Sequence, residues 1–218
     1  MADEEQRART VYERTTDSYV DAIGTSISPD VETDTDIGSL QAFAALCLDR
    51  PVLDLGCGPG RAGRLVMEAG PTVVGLDLAA TMIDVARMSN PSMAGVQATL
   101  TALPFRDRCL GGLVAWYSII HVAPGRIAAA WDDFLRVLSP GAPLLLAFQA
   151  GADDAVHRQH AHGTDVTLTS YRHDPERVAA GLIEAGSEQL RLSVRAAEHE
   201  HESTPQAIIS ATAPGGRA

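Results

Sequence analysis

The segment Val52-Leu-Asp-Leu-Gly-Cys-Gly-Pro-Gly60-Arg61 constrains the chain more than any other. Pro51–Leu55 reads as a buried strand, and Arg61–Ala69 as a helix that Gly70 and Pro71 stop. Between them, glycines at 56, 58 and 60 let the backbone turn tightly and approach a ligand closely, with helix N–H groups pointing at it. Further strand patterns follow at Thr72–Leu76, Met93–Ala98, Gly112–Tyr117 and Pro143–Phe148, with helical patterns at Ala79–Met88 and Arg126–Leu138. Alternation at this pitch predicts βαβ units and a parallel sheet, because parallel strands need crossover connections.

The flanks read differently. Residues 1–24 pattern as a helix, residues 25–38 as a polar, acidic loop, and Leu40–Leu48 as a short apolar helix. Residues 149–173 are rich in His, Asp and Gly, fit no single period, and read as an irregular, substrate-facing insertion. Asp174-Pro175-Glu176 opens a helix to about Ala185, with Pro175 suited to its first turn. Leu190–Arg195 and Ala207–Ala213 then read as an antiparallel closing pair. A length of 218 residues fits a single domain, 1–218.

Charge narrows the function. There are 28 acidic residues against 17 basic ones, a net charge of -11, and every base is arginine. The absence of lysine excludes a P-loop NTPase and a lysine Schiff-base enzyme. The acidic balance disfavours nucleic acid, whose affinity rests on basic contacts to phosphate, and an anionic membrane surface. No stretch approaches the ~20 apolar residues of a membrane span. The polar N-terminus lacks a signal-peptide core, so a cytoplasmic protein is expected. Cys47, Cys57 and Cys109 are odd in number and show no CxxC spacing, so neither a disulfide framework nor a zinc site is expected. A small-molecule enzyme remains.

A dinucleotide fingerprint, GxGxxG, would need glycine where Arg61 stands. Asp54, at the strand end before the glycines, suits a ligand carrying positive charge and would repel a diphosphate. Asp77, in Val73-Val-Gly-Leu-Asp77, ends the second strand 21 residues after Gly56, where an acid accepts hydrogen bonds from a ribose diol. Glycine turn and ribose acid make a nucleoside-binding pair. A Rossmann oxidoreductase is compatible with the fold but is opposed by Arg61.

These residues resemble class I S-adenosylmethionine-dependent methyltransferases. The matching segments are DLGCGPG at Asp54–Gly60, GLDLAATMIDVAR at Gly75–Arg87, TALPF at Thr101–Phe105, LVAWYSIIHV at Leu113–Val122 and RVLSPGAPLLLAF at Arg136–Phe148. VYERTTDSYVD at Val11–Asp21 resembles a tyrosine-bearing lid helix. The resemblance implies an α/β, Rossmann-like, doubly wound and mostly parallel seven-stranded sheet with an antiparallel C-terminal strand and an N-terminal helical lid over residues 1–48. It implies S-adenosylmethionine as cofactor and a small-molecule methyl acceptor, with O-methylation in secondary metabolism as the first expectation and N- or S-methylation as the alternative. A methyltransferase-fold protein without methyl transfer, such as a cyclase or ligand sensor, stays open. It further implies cofactor contacts from Tyr12, Tyr19, Asp54, Gly56, Cys57, Gly58, Gly60, Asp77, Leu78, Met82, Thr99, Leu100, Thr101, Trp116 and Tyr117. Two positions depart from the family: Thr99 stands where an Asp often holds the adenine amino group, and Leu110-Gly111 where Phe-Asp is usual.

His121, just beyond the fourth strand, is the candidate catalytic base; its alternatives are a loop-orienting histidine or a contact to the cofactor carboxylate. Trp116 and Tyr117 at the same strand end either touch ligand or simply pack. Tyr12 and Tyr19, seven residues apart, share a helical face that closes over the cofactor or packs in the core. Cys57 reads as a small buried filler. His157, His160 and His162, near Asp153 and Asp154, read as a solvated or substrate-lining loop rather than a metal site, and Glu198–Glu202 as an exposed turn or strand edge.

Overall fold

The computed structural model describes residues 3–47, 49–160 and 164–215. Two helices, α1 (Asp3–Ile23) and α2 (Asp34–Leu46), precede the glycine turn. Then come β1 (Val52–Leu55), α3 (Arg61–Glu68), β2 (Val73–Asp77), α4 (Ala80–Ser89), β3 (Ala94–Gln97) and β4 (Gly112–Trp116). The remainder is α5 (Pro124–Ile127), α6 (Trp131–Val137), β5 (Pro143–Gln149), β6 (Asp154–Arg158), β7 (Leu168–Arg172), α7 (Pro175–Glu184), β8 (Glu188–Arg195) and β9 (Gln206–Thr212). Seven strands form one sheet in the order β3-β2-β1-β4-β5-β9-β8. The first five are mutually parallel, and β9 runs antiparallel between β5 and β8. This is the doubly wound, Rossmann-like sheet that the alternation and the resemblance implied.

Both faces of the central strands are covered, which explains their near-continuous apolar sequence. On one face Leu53, Leu113, Leu144, Leu146 and Phe148 pack with Trp131 and Phe134 of α6 and with Val178 and Leu182 of α7. On the other, Val52, Val114, Trp116 and Leu145 pack with Leu40 and Phe43 of α2 and with Ala62 and Val66 of α3. Each strand thus sends alternate side chains into two separate cores.

Three sequence expectations need correction. The 149–173 insertion is not irregular throughout: β6 and β7 pair antiparallel as a separate two-stranded sheet, from Asp154↔Arg172 to Arg158↔Leu168. Its apolar period is faint because few of the hairpin's residues are buried; Leu168 packs against Ala8 and Val11 of α1. The polar 25–38 segment contains the start of α2. Thr33 caps it, accepting from Asp36 N, while Asp36 Oδ2 accepts from Thr33 N at 3.0 Å. Aspartate replaces the usual glutamate of that reciprocal cap, so the signal is weak. Lastly, the 126–138 helix is broken into α5, a 3-10 turn at Ala128–Ala130 and α6, which sets Trp131 against Gly181 of α7.

The helix α1 lies across the sheet's carboxyl edge and is fastened to several neighbours. Thr16 Oγ1 is 2.7 Å from Thr81 Oγ1 of α4, Tyr171 Oη of β7 donates to Glu4 at 2.8 Å, and Arg14 pairs with Asp165.

Candidate nucleoside-binding cleft

A cleft opens at the carboxyl ends of β1, β2 and β4, beneath α1, the place where open α/β sheets bind ligands. Its empty volume, open mouth included, is about 1050 Å³, ample for a nucleoside-sized ligand.

The glycine turn forms the floor. Gly56 has φ +68°, and a Cβ there would overlap the Cβ of Ser118, so both handedness and space require glycine. Gly58 N donates to Asp77 Oδ2 at 2.9 Å, and Ala79 N donates to Asp77 Oδ1 at 2.8 Å. Asp77 is therefore held rigidly at the end of β2, with burial raising its carboxyl and the N–H donors partly offsetting that rise. Asp54 is 1% exposed, and its Oδ2 accepts from Gly63 N of α3 at 2.8 Å. Burial pushes the Asp54 carboxyl up to about 7, the Gly63 N–H opposes the shift, and the charge of Asp77 adds to it. Both acids bond the turn, as simple caps would, and both also line the cleft. Cys57 is buried beside them, and desolvation raises its thiol well above the ordinary range, as suits an inert filler.

The roof comes from α1. Tyr12 and Tyr19 meet edge to face, 5.5 Å between centroids. Tyr12 Oη lies 2.7 Å from His121 Nε2, and His121 Nδ1 lies 3.2 Å from the Thr169 carbonyl oxygen of β7. A carbonyl only accepts, so Nδ1 carries the proton and Nε2 presents its lone pair to the Tyr12 hydroxyl. Burial raises Tyr12 well above the usual phenol value and Tyr19 to about 12, so both remain protonated donors at neutral pH.

Of the sixteen expected site residues, fourteen line this cleft, including Leu78, Met82, Thr99, Leu100, Trp116 and Tyr117. Two stand outside its wall. Gly60 starts α3 in a left-handed conformation, and a Cβ there would come within 2.9 Å of Asn90 Nδ2 and 3.1 Å of Ala86 Cβ; it lets α3 approach α4. Thr101 sits behind Thr99, their hydroxyls 2.8 Å apart. Tyr117 follows β4 with φ +55°, a strained conformation for a bulky residue, and its ring meets Trp116 edge to face.

Sequence reasoning missed Glu5, Arg61 as a cleft residue, and Ser118. Arg61, noted in sequence only as a departure from a dinucleotide fingerprint, is 8% exposed in the cleft wall. Its guanidinium donates to Glu32 at 2.7 Å and to the Ser26 carbonyl at 3.1 Å, tying the loop after α1 to the glycine turn. Outside the cleft, His157 Nδ1 contacts Thr169 Oγ1 and His160 Nδ1 the Thr164 carbonyl, both exposed; His162 lies outside the described residues. The 198–202 segment is a turn, but the Glu202 side chain is only 6% exposed. It pairs with Arg195 and accepts from Glu198 N and His199 N, which hold its carboxyl near 2 despite burial.

A doubly wound sheet with a glycine turn and a strand-end acid beside a cleft is the arrangement in which Rossmann-like folds bind ligands. Residues 52–141 match the family described as "Methyltransferase domain". That segment is therefore similar to the family, and the seven-stranded sheet around it has the Rossmann-like fold. Among curated relatives, the trans-aconitate 2-methyltransferase of Azoarcus sp. (strain BH72) is 33% identical over 109 residues, 49% of this chain and 42% of that protein. The chain spans about half the length of the curated relatives it matches. Among solved structures, a methyltransferase from Methanosarcina mazei superposes with TM-score 0.71 at 16% identity, covering 80% of this chain and 98% of that one. The 4+2 cyclase SpnF superposes with TM-score 0.73 at 17% identity, covering 97% of each chain. No helix among the described residues is long and apolar enough to cross a membrane.

Proposed function

We propose that this chain is an S-adenosylmethionine-dependent methyltransferase for a small-molecule acceptor, and that the acceptor atom is a hydroxyl oxygen. The observation that carries the cofactor reading is the pair of buried carboxylates flanking the glycine turn. Asp77 is oriented by two backbone N–H groups toward a ribose diol. Asp54 is buried, lines the cleft, and forms no ion pair among the described residues, so its environment favours a cationic ligand over a phosphate. When bound, the cofactor supplies an electrophilic methyl group. The protein's work is then to place the acceptor in line with it, exclude water, and take up a proton.

His121 Nε2 is the proton acceptor in this reading, in the tautomer that Thr169 fixes. The Tyr12 hydroxyl, hydrogen-bonded to it, either yields its place to the acceptor hydroxyl or relays the proton. With the cofactor bound, its methyl–sulfur bond would break as the methyl joined the acceptor oxygen, leaving a neutral thioether, while His121 took the proton from that oxygen. The domain then spans 1–218, with residues 1–48 as lid and 149–173 as the acceptor-facing cover. A metabolite screen with labelled S-adenosylmethionine tests the reading. Label in a hydroxyl-bearing product supports it. Binding of S-adenosylhomocysteine without transfer to any acceptor turns the assignment toward a non-transferring catalyst or sensor.

A further inference from the structure

Glu5 is the one lining residue of the cleft whose chemistry is out of keeping with its place in the chain. It lies in the first turns of α1, yet it is 5% exposed, and three donors from two other elements converge on its Oε1. Thr99 Oγ1 is 3.0 Å away, Thr101 Oγ1 3.0 Å, and Arg126 Nη2 3.1 Å. Burying a carboxylate is costly unless charge and hydrogen bonds compensate it, and here a cation and two hydroxyls do so. These contacts fix where the carboxylate stands: beside Thr99 and Leu100, in the wall beyond the end of β3.

That position has a chemical meaning if the cleft is read as above. Asp77 at the end of β2 sets the ribose, and β3 is the next strand outward, so the nucleobase extends over residues 98–100. Met82, Leu78 and Ala98 offer that base apolar surface only. The two threonine hydroxyls point at Glu5. An ionised carboxylate accepts and never donates, so it suits a base edge carrying an amino group and disfavours one carrying a carbonyl oxygen.

We propose that Glu5 is a specificity-determining residue, presenting a carboxylate from the lid helix to the exocyclic amino group of the nucleobase and so selecting adenine over a 6-oxo purine. Base recognition and lid placement are then one interaction, because the carboxylate reaches the base only when α1 is seated. The inference rests on the cofactor reading of the cleft.

Calorimetry with S-adenosylhomocysteine and its inosine counterpart, in which an oxygen replaces the 6-amino group, tests it on the full chain without an acceptor. Wild type is expected to prefer the adenine compound by at least tenfold, about what one hydrogen bond to a charged group supplies. Glu5→Gln keeps the shape and brings an amide donor that a 6-oxo group accepts; it is expected to cut that preference about tenfold. Glu5→Asp, which retains charge but withdraws it by one methylene, is expected to lower the preference as well and serves if the glutamine variant does not fold. Equal weakening of both compounds in the variants assigns Glu5 a purely structural latch and overturns the proposal, as does equal binding of both by wild type. Binding of neither compound by wild type overturns the cofactor reading itself.

Discussion

Tyr12 and His121 form one unit, joined by a 2.7 Å hydrogen bond and held from behind by Thr169. For a hydroxyl acceptor, His121→Ala is expected to lower kcat by ~10²–10⁴-fold; Tyr12→Phe matches that loss if Tyr12 relays the proton and leaves kcat near wild type if Tyr12 yields its place. Rapid-quench or steady-state assays at saturating cofactor check this; an unchanged kcat in His121→Ala removes it from the reaction. Asp54 makes a pH prediction. Its folded carboxyl is raised to about 7, so the ligand-free cleft holds it protonated below that value. A cationic amino-acid tail favours the ionised form, so binding releases a proton, and affinity for S-adenosylhomocysteine rises between about pH 6 and pH 8. Stability runs the other way. With its folded value raised from the ordinary 3.8 to about 7, the native chain binds more protons between those two values, and this group's contribution to stability falls as pH rises through that window. Asp54→Asn is therefore expected to weaken binding and remove its pH dependence, while the ligand-free Tm at alkaline pH holds or rises. Both acids were legible in sequence because each sits at the carboxyl end of a strand, close to glycine or a helix start. Glu5 was not: its burial comes from where α1 lands, and nothing local to residues 1–10 encodes that.

At the scale of elements, the parallel strands were readable because a strand buried on both faces has a nearly unbroken apolar run. The β6–β7 hairpin was not, since only Leu168, Ser170 and Tyr171 of its ten paired residues are buried. The start of α2 was hidden by the aspartate in its cap, yet that cap matters. Asp36 also pairs with Arg195 of β8 at 2.7 Å, so the cap links α2 to the sheet edge. Thr33→Ala is expected to cost about 1 kcal/mol, a loss of roughly 2–4 °C in Tm by calorimetry for a chain of this size. Gly56→Ala meets both a positive φ and Ser118, so it should abolish nucleoside binding by displacing the turn. Titration with S-adenosylhomocysteine, alongside circular dichroism to confirm the fold, decides that.

For the whole molecule, ligand binding and folding are one equilibrium. At a hundredfold excess over Kd, S-adenosylhomocysteine should add about 2.7 kcal/mol and raise Tm by roughly 5–10 °C, whereas NAD should leave it unmoved. Scanning fluorimetry with both compounds separates the two nucleoside readings directly; protection by NAD alone refutes the cofactor assignment. The way α1 is attached also bears on turnover. Its ties to α4, the hairpin and the segment after β3 are mainly hydroxyl, carboxylate and guanidinium contacts, with a small apolar patch at Ala8, Val11 and Leu168. Groups of that kind trade partners with water at little net cost, unlike an oily seam. On the cofactor reading proposed above, the helix is expected to swing away as an intact rod while the sheet beneath stays folded, giving spent nucleoside an exit that needs no melting of the protein.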